Sequence, residues 1–392
     1  MTVENDAPAT DCSVSESLLD FHHGAIIIDT HVDTILRQVD LGHDLSLSSS
    51  PGYMDLPRMK SGNLTAAFFA CCVDYNNIKR GTARLRQQQI IDAVLNLCAR
   101  NGSIIELARS AADIRRLAAA GKLAAVLTIE GAQAIEDDLD SLQTLWDQGV
   151  RSIALAHFTT NGWADSSADV ERHRGLSALG RNAVGELNRL GIIVDVSHAS
   201  DRATLQAIDA SSSPVLASHS SARALHDHPR NLADELIRAI AARGGVIGPT
   251  LFPEYIFPPF QAAMEEHAAV VLKDMADRDS VRENTPAIAT VMRSYGSDMH
   301  GKYDALVTRR LPMPSLEIFV RHVAHIADLV GPQHICIGTD HGAVRFDIPR
   351  FEDCTKLPAM TQALFTCGFS RTEVEGILGG NVLRLMEKVI GA

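Results

Sequence analysis

Short apolar runs recur along the chain and alternate with longer segments of helical period. Such short runs predict buried strands, and apolar residues at every third or fourth position predict amphipathic helices. We predict eight strands, at residues 25–30, 65–73, 124–129, 152–156, 192–196, 214–217, 245–250 and 334–338. Strands that alternate with helices are typical of parallel sheets with right-handed crossovers. Eight such units indicate an α/β fold, a closed (β/α)8 TIM-like barrel.

Three stretches between these strands predict helices, at residues 87–100, 178–190 and 232–242. Gly191 directly follows the second stretch, where a helix C-cap favours glycine. Residues 252–314, after the seventh strand, contain no predicted strand, and within them 261–278 is a charged helical stretch. An insertion here lies at the C-terminal rim of a barrel. It is therefore either an elaborated surface loop or a cover over an active site.

The start of the chain and its cysteines indicate the cellular location of the protein. Residues 1–20 are acidic and polar, and we predict a flexible leader followed by a single barrel domain over residues 21–392. The start has neither the basic region nor the apolar region of a signal peptide. The seven cysteines form no C-x-x-C motif, and Cys71, Cys72 and Cys336 lie in apolar runs as small buried side chains. We expect a reducing, cytoplasmic location.

Charge and hydropathy narrow the class of partner. The net charge is −12, whereas binding to nucleic-acid phosphates requires a basic surface. No apolar stretch reaches the roughly 18 residues expected of a membrane helix. We therefore expect neither a nucleic acid nor a membrane as partner, but a small molecule. A homodimer is left open.

Residues that bind metals or transfer protons directly follow six of the eight predicted strands. His31 and Asp33 follow the first strand. The third, fourth, fifth, sixth and eighth strands are followed by Glu130, His157, His198, His219 and Asp340. The C-terminal ends of barrel strands converge on one rim, where active sites are built. Unrelated histidines would instead be scattered over helices and both rims, so the pattern predicts a metal site.

Five of these residues are candidate metal ligands: His31, Asp33, Glu130, His198 and His219. Imidazole with carboxylate suits zinc, with manganese, cobalt or iron as alternatives, and we expect no thiolate to join. Five ligands are too many for one catalytic zinc with an open position. Two metals about 3.5–4 Å apart can share a carboxylate and hold a bridging hydroxide as nucleophile. Two zinc ions bridged by Glu130 and a hydrolytic reaction are therefore predicted.

Longer blocks of sequence resemble the membrane (renal) dipeptidases, a branch of the amidohydrolase-like metal barrels. The resemblance extends from about Ala25 to Leu385. It is carried, in the family's order, by IDTHVD, DLPRMKSGNLTAAFF, TIEGAQAI, LAHFTTNGWADS, GLSALGRNAVGELNRLGIIVDVSHAS, PVLASHSSARALHDHPRNL and ILGGNVLRLME. Several long motifs in the right order are far more specific than His-x-Asp alone.

The resemblance implies a zinc-dependent dipeptidase and a role for each matching residue. His31 and Asp33 would bind one zinc ion and His198 and His219 the other, with Glu130 between them. The same resemblance implies that His157 binds the substrate carbonyl and stabilises the developing oxyanion. It also implies that Asp340 transfers protons, and that Arg230 binds the substrate carboxylate through two hydrogen bonds.

The chain departs from the family pattern at two places. The family usually has Asp-Phe-Asp-Gly after the eighth strand, whereas this chain has Asp340-His341-Gly342 and lacks the second aspartate. After the seventh strand, Thr250-Leu251-Phe252-Pro253-Glu254-Tyr255 and the insertion replace a short loop, and we take Tyr255 as a substrate contact. Both changes alter the pocket. The alternatives are hydrolysis of a related amide or lactone, such as an N-acyl amino acid, and a biosynthetic role without peptidase turnover.

Overall fold

One parallel sheet organises the chain. The computed structural model describes residues 15–48, 52–135, 138–273, 285–295, 311–342 and 346–391. In chain order the strands are β1 (Ile28–Val32), β2 (Ala66–Cys72), β3 (Ile105–Leu107), β4 (Leu123–Glu130), β5 (Val150–Ala154), β6 (Ile193–Asp195), β7 (Leu216–Ala217) and β8 (Val246–Ile247). Neighbours follow the order β1-β2-β4-β5-β6-β7-β8, and β3 pairs with β4 off this path.

Residues 335–341 close the sheet into a barrel between β8 and β1. They form single parallel bridges to both strands: Ile335 with Ile247, Ile337 with Asp29, and His341 with Val32. Gly338 permits this closure, because a Cβ there would lie 1.8 Å from the Ser218 carbonyl oxygen. The predicted (β/α)8 TIM-like fold is confirmed.

Two details of the strand prediction were wrong. The run 334–338 forms isolated bridges instead of a regular strand, because its start belongs to the 3-10 turn Pro332–His334. The strand β3 was not predicted. Of its three residues only Ile105 is buried, so it lacks the apolar run that signals a core strand. It pairs with the first residues of β4, outside the ring.

Helices connect the strands and pack against the sheet. The described α-helices are Glu16–Gly24, Thr34–Leu41, Leu56–Ser61, Tyr75–Lys79, Ala83–Arg100, Ala111–Ala119, Ser141–Gln148, Ala178–Leu190, Asp201–Ala210, Asp234–Ala242, Pro253–Ile256, Pro258–Lys273, Ala287–Tyr295, Leu316–Val330, Leu357–Thr366, Arg371–Glu375 and Asn381–Val389. The helix Ala178–Leu190 has the predicted bounds. It ends at Gly191 with φ 72°, which confirms the predicted C-cap.

The described part of the insertion is helical. Its helices are Pro253–Ile256, Pro258–Lys273 and Ala287–Tyr295. The predicted stretch 261–278 agrees with the second helix up to residue 273, and its last five residues lie outside the described ranges. The helix Ala287–Tyr295 packs on Pro258–Lys273 and also lies against Tyr75–Lys79, which follows β2. The insertion therefore reaches from the β8 side of the barrel mouth to the β2 side.

The predicted leader was too long at its C-terminal end. A helix begins at Glu16, and its Leu18 and Phe21 are buried. The Phe21 ring packs edge-on against Phe365, with 5.0 Å between ring centroids. Residues 1–14 lie outside the described part. None of the helices that the structure describes is long and apolar enough to cross a membrane.

Candidate metal centre

The predicted site residues meet at the C-terminal ends of the strands. His31 is in β1 and Glu130 ends β4, while His157, His198 and His219 follow β5, β6 and β7. All five side chains are buried, as is Asp33. Their ligand atoms form overlapping sets, each within 4.8 Å: His31 with Asp33 and Glu130, Glu130 with His198 and His219, and His31 with His219 and Asp340.

Glu130 occupies the centre of the cluster. Its Oε1 lies 3.4 Å from His31 Nε2, 3.0 Å from His198 Nε2 and 3.4 Å from His219 Nε2. The Nε2 of His157 is 3.8 Å away. One carboxylate therefore faces both pairs of candidate ligands, which is the position that a bridging ligand requires. Its backbone sits at the last residue of β4, where the strand ends at the rim.

Asp33 and Asp340 complete the cluster on the β1 side. Asp33 Oδ2 lies 3.6 Å and Asp340 Oδ1 3.8 Å from His31 Nε2. Within the described residues, His31 Nε2 and Asp33 Oδ1 are buried and have no hydrogen-bond partner. Buried polar atoms are normally satisfied, so these two are suited to a ligand that the protein itself does not supply.

The protonation of the cluster also fits divalent cations. Burial lowers the pKa of His198 and of His219 well below the ordinary value, so both imidazoles are neutral and carry a lone pair. Burial also opposes protonation of His31, but the charges of Glu130 and Asp33 outweigh it and raise the pKa of His31. A cation can replace the proton that these carboxylates attract. The donor set thus fits two divalent metal ions.

Two buried aspartates make hydrogen bonds beside the candidate metal ligands, and sequence reasoning missed both. Asp195 accepts hydrogen bonds from the Ser218 hydroxyl and from the Ser218 and Ser197 backbone amides. Ser218 Oγ lies 2.8 Å from His219 Nδ1. Asp29 accepts hydrogen bonds from the backbone amide of His31 and from the hydroxyl of Thr339. Asp29 and His31 are two residues apart and so lie on the same face of the strand. This spacing is the signal in the sequence that could have revealed Asp29.

Two site residues have left-handed backbones. His198 has φ 68° and Asp340 φ 64°. Non-glycine residues with positive φ are uncommon and concentrate at functional sites. Each turns the chain sharply after its strand, which aims the side chain at the cluster. Gly131 follows Glu130 with φ 83°, and a Cβ there would lie 2.8 Å from the His157 Cβ. This close approach brings His157 beside Glu130.

Asp340 has the properties of a proton-transfer group. Burial raises its pKa to about 8, with Asp33 and Glu130 adding to the rise and His31 opposing it. Its neighbour His341 fills the position of the expected second aspartate. The imidazole of His341 is buried and packs against the rings of Tyr53 and Phe346, with centroids 5.2 and 5.1 Å away. An aromatic cluster thus adjoins Asp340, where the family pattern has a second carboxylate.

Arg230 and Tyr255 lie side by side at the edge of the site. Arg230 Nη2 donates to the His219 carbonyl at 3.0 Å, and its guanidinium carbon is 5.3 Å from the centre of the Tyr255 ring. Arg230 is buried, and its Nε has no partner within the described ranges. Tyr255 lines the pocket over the cluster.

A cysteine lies beside the site, which the sequence analysis did not predict. Cys72 ends β2 directly beside Glu130 in the strand register. Its Sγ is 3.6 Å from His157 Nδ1, and Cys72, Glu130 and His157 form a further set of potential ligands. Burial raises the pKa of the Cys72 thiol well above its ordinary value. The thiol is thus neutral, and it lines the pocket.

The fold and this cluster fit a metal-dependent enzyme built on a TIM-like barrel. The chain belongs to the membrane dipeptidase family, peptidase family M19, whose pattern it matches over residues 16–391. This confirms the resemblance found in the sequence and identifies the chain as a member of a dipeptidase family of metallopeptidases.

Individual relatives agree with this assignment. The chain is 28% identical to dipeptidase tcpJ of Claviceps purpurea, over 86% of this chain and 69% of that protein. It is 27% identical to human dipeptidase 3, over 93% of this chain and 65% of that protein. The crystal structure of the probable dipeptidase PvdM from Pseudomonas aeruginosa superposes with a TM-score of 0.82 and 27% identity, over 97% of this chain and 99% of that one.

Proposed function

We propose that this protein is a zinc-dependent dipeptidase that hydrolyses the peptide bond of free dipeptides. The observation that carries the proposal is the position of Glu130, whose Oε1 lies within 3.0–3.4 Å of three imidazole nitrogens from three strands. Membership of the dipeptidase family supports the class of substrate.

Two zinc ions would complete the centre. His31 and Asp33 would hold one ion and His198 and His219 the other, with Glu130 shared between them. Bound divalent zinc supplies Lewis acidity and a hydroxide nucleophile at neutral pH. Manganese, cobalt and iron accept the same imidazole and carboxylate ligands.

The remaining site residues have roles that follow from their positions. Burial lowers the pKa of His157, so its neutral ring can donate one hydrogen bond to the substrate carbonyl oxygen as negative charge develops there. Asp340, with its pKa near neutrality, can accept a proton and return it to the leaving amine.

Arg230 is our reason to expect that dipeptides are hydrolysed in preference to longer peptides. A guanidinium that holds the C-terminal carboxylate fixes the distance from that carboxylate to the scissile carbonyl. One residue then fits between them, and a displacement of about 1 Å can cost about 10²-fold in rate. Because the Arg230 guanidinium carbon lies 5.3 Å from the centre of the Tyr255 ring, we expect the tyrosine ring to form a wall of the same subsite.

Metal analysis combined with a substrate panel tests this function. We expect two zinc ions per chain by elemental analysis, and turnover of free dipeptides well above that of dipeptide amides and tripeptides. Arg230→Ala should raise KM for dipeptides and reduce the difference in turnover between free dipeptides and dipeptide amides. Equal turnover of amides or tripeptides would remove the carboxylate clamp. Preferred turnover of N-acyl amino acids or lactones would show that the alternative hydrolase is correct, and no turnover would favour a biosynthetic role.

A further inference from the structure

The pocket above the candidate metal ligands is lined by both polar and apolar side chains. The polar lining consists of Asp33, Glu130, His157, His198 and Asp340 of the cluster, together with Cys72 and Tyr255. The apolar wall is formed by Leu36, Phe158, Phe252, Ile288 and Met292. These apolar residues come from different parts of the chain and converge over one reactive centre. Together they form an apolar surface, which a single exposed side chain would not.

The insertion supplies part of this apolar wall. Ile288 and Met292 belong to the helix Ala287–Tyr295, four residues and thus about one turn apart, so they share one helix face. The backbone amide of Ile288 donates to Glu254 Oε2 at 2.9 Å. Ile288 is only 1% exposed. The helix is therefore anchored, and its apolar face is fixed over the pocket.

The position of Arg230 indicates which end of a substrate meets this wall. Arg230 follows β7, and β2 lies on the opposite side of the ring. Leu36 and Phe158 follow β1 and β5, the two strands that flank β2 and β4. A dipeptide whose carboxylate points to Arg230 directs its other residue, the N-terminal one, toward β2. That is also the side reached by the insertion helix.

We propose that the insertion helix completes a subsite for an apolar side chain on the N-terminal residue of the substrate. This inference rests on the proposed dipeptidase function. An apolar side chain gains by leaving water, whereas a charged one loses hydration without a partner in this wall. The carboxylates elsewhere in the pocket are those needed for the cations and for proton transfer.

A series of dipeptides that differ only in the first residue tests the subsite. We expect kcat/KM of the zinc-loaded enzyme for leucyl-glycine to exceed that for aspartyl-glycine and lysyl-glycine by about 10²-fold. Met292→Lys should reduce the ratio of leucyl-glycine to aspartyl-glycine about 10-fold, through KM more than kcat. The matched control is Val291→Ala on the same helix, whose side chain is buried but is not among those that line the pocket. This control should lower thermal stability and leave the ratio unchanged.

Calorimetry measures the binding affinity of phosphinate mimics of leucyl-glycine and aspartyl-glycine. It therefore tests the side-chain preference of the subsite independently of hydrolysis. Apolar preference in binding without hydrolysis of any dipeptide would overturn the proposed function and support the subsite. Equal kcat/KM for leucyl-glycine and the charged dipeptides would overturn the subsite while leaving the dipeptidase intact. An unchanged ratio in Met292→Lys would likewise overturn the role of the insertion helix, and failure to bind either mimic would overturn both proposals.

Discussion

At the scale of single residues, the orientation of His219 is determined by the groups beneath it. The Ser218 hydroxyl donates to Asp195, which is buried and accepts two backbone amides as well. The Ser218 oxygen is then free to accept from His219 Nδ1–H. This leaves the Nε2 lone pair directed at the centre, as a metal-binding imidazole requires.

Ser218→Ala should therefore weaken metal binding. Without the hydroxyl, the His219 ring loses the hydrogen bond that fixes its tautomer, and loss of such a partner typically costs 10–100-fold in metal affinity. Competition dialysis against a zinc chelator measures this change. Ser221→Ala is the control, because Ser221 is equally buried but contacts Thr250. Equal zinc affinity in both variants would show that Ser218 does not orient the ligand.

Asp340→Asn separates proton transfer from metal binding. The amide keeps the size of the carboxyl group but cannot accept a proton, so we expect a loss of about 10²–10⁴-fold in kcat. The zinc content should stay at the wild-type value, because the proposed ligands are intact. Steady-state kinetics and elemental analysis of the same sample check both points. Near wild-type turnover would mean that another group transfers the proton, and loss of zinc would make Asp340 a ligand.

The clustering of the candidate ligands could be predicted from the sequence because strand ends converge wherever a parallel barrel forms. Cys72 could not be placed in the same way, because an apolar run does not show which of two adjacent cysteines faces the barrel mouth. Only the register with Glu130 decides that. Asp195 was also missed. Its role depends on Ser218 of the neighbouring strand segment, a contact across strands that no local pattern reports.

At the scale of elements, Glu254 links the insertion to the barrel. The carboxyl group is fully buried, and its Oε1 has no hydrogen-bond partner in the described part of the chain. Burial raises the pKa of Glu254 to about 8, although the amides of Ile288 and Ala287 favour the charged form. The carboxyl group therefore holds the insertion helix in its neutral state at physiological pH.

Glu254 should make the stability of the protein depend on pH above neutrality. Its pKa is raised on folding, so its stabilising contribution is complete below about 4.5 and is lost as the pH rises through about 8. Each pKa unit is worth about 1.4 kcal/mol. Between pH 6 and pH 9 the wild-type protein should lose more stability than Glu254→Gln, which cannot ionise.

Thermal melts of the two proteins across this pH range measure the difference. Glu266→Gln removes an exposed carboxyl group from the helix Pro258–Lys273 and is the matched control. It should follow the wild-type curve. Parallel curves for wild type and Glu254→Gln would mean that Glu254 is already ionised at pH 6.

The structure of the insertion could be predicted only in part from the sequence. Its helical period predicted a helix after residue 260, and the structure has one there. The pattern could not show that a later helix crosses the barrel mouth to meet Tyr75–Lys79. That contact joins residues far apart in the chain, and amphipathic period reports only that a helix has a buried face, not what covers it.

At the scale of the whole molecule, the candidate metal centre brings together residues from around the barrel. Its proposed ligands come from β1, β4 and the segments after β6 and β7, so strands on different sides of the ring converge on one point. The eight-unit alternation was enough to predict this architecture. The closure by residues 335–341 was not predictable in detail, because single bridges leave no strand-length apolar pattern.

Removal of the metals should therefore destabilise the entire barrel. Without cations, Glu130, Asp33 and the buried imidazoles are left close together with unsatisfied atoms. A ligand at about 1,000 times its Kd stabilises a fold by about 4 kcal/mol. We expect dialysis against a chelator to lower Tm by on the order of 10 °C, and added zinc to restore it.

The variant Glu130→Ala shows whether this effect comes from the shared centre. It removes the carboxylate that faces both pairs of ligands, so both ions should bind weakly. Its Tm should then change little on chelation, because there is little metal to remove. A variant that still loses Tm on chelation to the wild-type extent would mean that the ions do not share Glu130. If instead elemental analysis showed one ion retained in full, that ion would be held without the carboxylate and only the other would depend on it.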